Sequence, residues 1–111
     1  MSQVIRFRKA RGQPAFVHFT RDEMNRLLSL YSRQVAAGEW RDYAIETGRD
    51  CAVFRVYNRA NERPAYSFVK LGQTDRKGQY AVFDSQRKLR QSNEITEALA
   101  VFGRQLRLVA D

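Results

Sequence analysis

Apolar residues recur along this chain with two different periods. Met24, Leu27, Leu28, Tyr31 and Val35 fall at helical spacing with Asn25, Arg26, Ser29, Ser32 and Arg33 between them, which predicts a helix with one buried face. Its start is written locally. Thr20 and Glu23 have the spacing of a capping box and Phe19 and Met24 that of a hydrophobic staple, so the helix should begin at about Arg21; Gly38 supplies a left-handed stop.

Beyond Gly38 the period changes to two. Cys51 to Tyr57 alternates β-branched and aromatic residues, Asn58 to Pro64 is rich in turn formers, and a second strand follows from Ala65 to Leu71. Gly72 to Gly78 reads as a loop and Tyr80 to Phe83 as a third strand. Asp84 to Gln91 is polar and basic. Ser92 or Asn93 then caps a second helix carried by Ile95, Ala98, Leu99, Phe102 and Leu106, with Gly103 as its weak point. A further short strand at Ala15 to Phe19 would complete the set. The expected fold is α+β in two layers: an antiparallel three- to four-stranded sheet, two helices on one face, order (β)αβββα. Residues 1–14 read as a basic arm and 15–111 as a single domain, the size that 111 residues support.

Several chemistries are set aside by composition. The longest apolar run, Ala98 to Phe102, is far short of the roughly 20 residues that span a bilayer. Arg6, Arg8, Lys9 and Arg11 are followed by Pro14 and a short apolar stretch rather than a signal-peptide core, so the expectation is a cytoplasmic protein without membrane contact. Cys51 stands alone and reads as a small hydrophobe at the start of a strand, and His18, the single histidine, reads as structural or surface. Neither a P-loop nor a GxGxxG fingerprint occurs. The expectation is a non-enzymatic protein with no catalytic residue, metal or cofactor.

Charge supplies the positive signal. The net charge of +8 is concentrated in two segments: the arm, with Arg6, Arg8, Lys9 and Arg11, and residues 76 to 90, with Arg76, Lys77, Arg87, Lys88 and Arg90 against Asp84. Such concentration makes a directional field, and arginine forks match phosphate oxygens, so these nine residues are the candidate surface for nucleic acid or a ribonucleoprotein. The helix-strand order is also that of the double-stranded-RNA-binding domain, but its loop and paired-lysine motifs are missing, and Glu94 and Glu97 occupy the first turn of the second helix, where they repel phosphate.

The segment Leu30 to Ile45, with Trp40, Asp42 and Tyr43, resembles the hallmark of a bacterial family known as domain of unknown function 2794. The match runs on through Ala52 to Tyr57, Arg59, Ala60, Glu62, Pro64, Tyr66, Gly78, Tyr80 and Val82, covering residues 16 to 83 in order. Gln91 to Ile95 departs from it, keeping a Glu and an aliphatic residue. The resemblance implies a bacterial cytoplasmic module and carries no activity across. If the hallmark segment were helical, Glu39, Asp42 and Glu46 would share a face able to hold a hard cation; otherwise they pair with Arg41 and Arg49 while Trp40 and Tyr43 plug the end of the core. The alternative function is a protein-protein adaptor or homodimer that uses a strand edge and the Trp40, Asp42 and Tyr43 surface.

Overall fold

The computed structural model describes residues 16–58, 63–75 and 77–110, and the side chains among them except those of 74, 75 and 104–110. The basic residues Arg6, Arg8, Lys9 and Arg11, and Arg76, lie outside the described residues.

Helix α1 spans Arg21–Ala36 and strands β1 (Asp42–Thr47), β2 (Cys51–Tyr57), β3 (Tyr66–Asp75), β4 (Gly78–Asp84) and β5 (Lys88–Ser92) follow before helix α2 (Ile95–Ala110). The strands form one antiparallel meander in chain order, five strands wide, so the α+β class stands and the expected three to four strands are too few. The two additions are β1, whose Tyr43-Ala44-Ile45 alternation is short, and β5, which is polar. The strand expected at Ala15 to Phe19 is reduced to an isolated bridge between Val17 and Gly48. The loop expected from Gly72 to Gly78 is the end of β3 and a tight turn into β4.

Alternation along each strand builds the core. Tyr43 and Ile45 of β1, Phe54 and Val56 of β2, Tyr66 and Phe68 of β3, and Tyr80 and Val82 of β4 fall on one face, where Leu27 and Leu30 of α1 and Ala98 and Phe102 of α2 pack. Each fully buried Leu or Phe in that layer contributes about 1.5–3 kcal/mol. The reverse face carries Val53, Val69 and Ala81 beside the Arg55–Glu46 ion pair.

Local rules set the ends of α1. Thr20 accepts from the Glu23 N–H at 3.1 Å and Glu23 accepts in return from the Thr20 N–H at 2.7 Å, the reciprocal box that its spacing predicts, and Gly38 adopts φ +81° after the last turn. The rotation of α1 differs from expectation. Its most buried line is Glu23, Leu27, Leu30 and Gln34, while Val35 is exposed. Glu23 turns inward because it has partners there: Tyr80 donates to its Oε2 at 2.5 Å and Lys70 to its Oε1 at 2.9 Å, with Lys70 also donating to the His18 carbonyl at 2.8 Å. Burial pushes the Glu23 carboxyl up, but hydrogen bonds from Tyr80, Lys70 and the Thr20 N–H outweigh it, so it titrates below its ordinary value. Burial and then the Glu23 hydrogen bond push the Tyr80 phenol up to about 12. Helix α1 is thus bolted to β3 and β4 by a polar node as well as by apolar packing.

Helix α2 follows its predicted stripe, with Ala98 and Phe102 buried and Ile95 and Leu99 half-buried, and it runs through Gly103 without a break. Ser92 accepts from the Glu94 N–H at 3.1 Å, and Asn93 instead accepts from the Gln79 N–H at 3.2 Å, which ties the helix start to β4.

Candidate functional site

The described basic residues among those expected to flank the third strand, Lys77, Arg87, Lys88 and Arg90, do not gather on one patch. Lys77 occupies the β3–β4 turn, whereas Arg87 and Lys88 sit at the β4–β5 turn, roughly 20 Å away along a seven-residue strand at about 3.3 Å per residue. Arg90 faces α2, donating to the Glu97 carbonyl at 3.0 Å, and Lys88 donates to Gln91 Oε1 at 2.6 Å. The turn holding Arg87 is organised by Asp84, whose Oδ1 accepts from the Gln86 and Arg87 N–H groups at 2.8 Å each. These bonds, with the nearby Arg87 charge, hold its carboxyl below the usual range.

The hallmark segment is not helical where the acidic residues lie. Glu39 precedes β1, and Asp42 and Glu46 are four positions apart on that strand, on its reverse face with Ala44 between them. Strand spacing separates carboxylates that helical spacing would have stacked, and Glu46 is paired with Arg55 at 2.8 Å. Among the described residues no group of three potential metal ligands lies together.

Trp40 and Tyr43 part company for the same reason. Trp40 is only 5% exposed, set among Tyr31, Tyr66 and Phe102 with ring centroids 5.4–6.3 Å away, so it plugs the core and is no part of a surface. Tyr43 remains 38% exposed, stacked on Phe54 at 5.2 Å and edge-on to Tyr31 at 4.8 Å. Burial, then the Asp42 charge and Tyr43, push the Tyr31 phenol up.

The structure instead draws attention to β1 as a whole. All six of its residues are exposed. Its inner side pairs with β2 in unbroken register from Asp42 opposite Tyr57 to Thr47 opposite Ala52. Hydrogen bonds at the C-terminal end of β2 fix which way each residue of β1 points. The Tyr57 carbonyl accepts from Arg41 on the β1 side and the Val56 carbonyl accepts from Ala65 on the β3 side, so odd-numbered residues of β2 face β1. Their partners Asp42, Ala44 and Glu46 use their backbone groups inward. Tyr43, Ile45 and Thr47 therefore aim theirs outward, and the Tyr43 N–H donates to the neighbouring Asp42 carboxylate at 2.8 Å.

The exposed large apolar residues collect along this border. Tyr43 and Ile45 lie on β1; Phe16 adjoins the Val17–Gly48 bridge at its far end, its ring under Arg49; Val35 is one helical turn beyond Tyr31, which touches Tyr43. Ile45 was not singled out from sequence. The signal available was Tyr43-Ala44-Ile45, a short alternation inside a segment that reads equally well as helix.

The family comparison supports part of this frame. No curated protein and no solved structure matches the chain. The family model described as Protein of unknown function (DUF2794) matches residues 17–99, which takes in the bridge at Val17, the whole sheet and the first turn of α2, and so extends past Gln91 to Ile95, the stretch that departs from the resemblance. With a match over most of its length and every strand of the sheet inside it, the chain belongs to the DUF2794 family.

Proposed function

We propose that this chain is a protein-interaction module that takes up an extended strand along the free edge of β1. One observation carries the reading: a six-residue, regularly paired edge strand with every residue exposed and no Lys, Pro or bulge in it, which includes Tyr43 and Ile45. An edge of this kind offers a row of unpaired N–H and C=O groups, and proteins without a use for one blunt it. Main-chain bonds at Tyr43, Ile45 and Thr47 give the affinity in such recognition and the side chains between them give the selectivity.

The competing reading, a nucleic-acid or ribonucleoprotein binder, rests on where the charge lies in the sequence, and the arm that supplies half of it is outside the described residues. Affinity capture with three baits separates the two readings. Proteins retained by the native chain should be lost with Ile45→Lys, kept with an Arg87→Glu, Lys88→Glu bait, and indifferent to nuclease. Loss on the charge-reversed bait or on nuclease treatment, with Ile45→Lys unaffected, would reject the strand-edge reading in favour of the polyanion.

A further inference from the structure

Resting on the strand-edge reading, we infer that the occupant of the β1 edge is a second copy of the same chain, paired antiparallel about Ile45 so that two sheets become one. The edge is self-complementary in three respects. The outward-facing backbone groups belong to Tyr43, Ile45 and Thr47, which are symmetric about Ile45, so a two-fold axis there matches Ile45 with itself and Tyr43 with Thr47 of the second copy, the Tyr43 N–H exchanging its Asp42 carboxylate partner for a carbonyl across the junction. An axis midway between the two Ile45 residues and perpendicular to the sheet also keeps both copies' helices on one face.

The apolar border has the same symmetry. Val35 and Tyr43 stand at the Asp42 end of β1, and Phe16 stands at the Gly48 end. Antiparallel pairing brings these ends together across the junction and merges four scattered exposures per copy into one apolar band, which is the content a stable strand-edge contact needs beyond its hydrogen bonds.

Among the described residues the charges at this border are partly matched. Glu46 is engaged by Arg55, and the Asp42 end of one copy meets the Arg49 end of the other. Lys77, Arg87 and Lys88 lie three strands away on the turns of β4.

The register is tested with disulfides in the full chain carrying Cys51→Ser. In an antiparallel hydrogen-bonded pair the opposed Cα atoms are about 5.5 Å apart, inside the range a disulfide spans. Under mild oxidation Ile45→Cys should give a covalent dimer at least about ten-fold faster than the exposed turn control Gln86→Cys, and a mixture of Tyr43→Cys and Thr47→Cys should cross-link to each other in preference to themselves. Sedimentation over a wide concentration range should show a dimer that Ile45→Lys dissociates, with unchanged far-ultraviolet circular dichroism. Equal cross-linking rates at 45 and 86, together with a monomer at the highest concentration, overturn the second-copy proposal. If the Ile45→Lys bait then still loses partners that the native chain holds, the edge is used by another protein and only the homotypic assignment fails. If it loses none, the edge reading fails with it.

Discussion

The two borders of the sheet answer the same physical problem in opposite ways. Strand β5 is short, breaks register between Val82 and Phe83, and carries Lys88 and Arg90, the second bonded to α2. It is also locked from inside. Leu89 packs on the core, Gln91 donates to the Gly78 carbonyl at 2.8 Å, and the end of β5 lies against Gly78. Strand β1 has neither a register break nor a cation: its register is continuous, every residue is exposed, and its charged residues are Asp42 and Glu46. Bulges, lysines and short length are the means by which edges are kept from pairing, so a chain that applies them to one border and omits them from the other has a closed edge and an open one.

The closed edge should be the more fragile under mutation. Gly78→Ala is expected to have the largest effect. A Cβ there meets the Ser92 carbonyl carbon at 2.2 Å and the Asn93 nitrogen at 2.5 Å, both backbone, and φ is +124°, so a loss of about 3 kcal/mol or more is expected in denaturant unfolding. Gly38→Ala, with φ +81° and nothing within 4 Å, should cost only about 1–2 kcal/mol and marks the purely conformational share.

The polar node beneath α1 gives the pH dependence. The Tyr80 phenol titrates at about 12 in the fold against 10.0 unperturbed, so the stabilisation is complete below pH 10 and is lost between pH 10 and 12. Two pH units correspond to an energy on the order of 3 kcal/mol. Glu23 has the opposite sign: its depressed carboxyl stabilises the fold above 4.5 and the benefit disappears as pH falls through the folded value. Thermal melts across pH should show both limbs, and Tyr80→Phe should remove most of the alkaline one.

Matched truncations compare the two edges directly. Leu89→Ala is expected to cost about 2 kcal/mol and Ile45→Ala about 1 kcal/mol in the monomer, because one side chain is packed on the core and the other is 42% exposed. Equal costs would erase the distinction between a locked and an open border. The smallest effect has the reverse sign. Gln34 is 2% exposed and its Nε2 has no hydrogen-bond partner, so Gln34→Met should raise stability by about 1 kcal/mol, read as a melting temperature higher by several degrees.

Sequence reading was reliable where structure is set by near neighbours. The capping box at Thr20 and Glu23, the stop at Gly38, the alternation in Cys51–Tyr57 and the stripe through Ala98 and Phe102 all stand, because each depends on residues within a few positions of one another. Family membership was legible for a related reason, since an ordered string of residues can be matched without knowing where any of them points.

Tertiary contacts decided the rest. Whether Glu23 faces water or the core depends on Lys70 and Tyr80, 47 and 57 positions away, and no local pattern encodes that. Strands β1 and β5 exist because β2 and β4 offer them ladders, so sequences with little periodicity of their own become borders of a sheet. The same folding sends Trp40 inward and leaves Tyr43 and Ile45 outside, and it sets Lys77 and Arg87 at opposite ends of one strand. The chain by itself fixed the elements that close short loops of interaction; which surface is left unpaired is a property of the finished sheet, because an edge is defined by the neighbour it lacks.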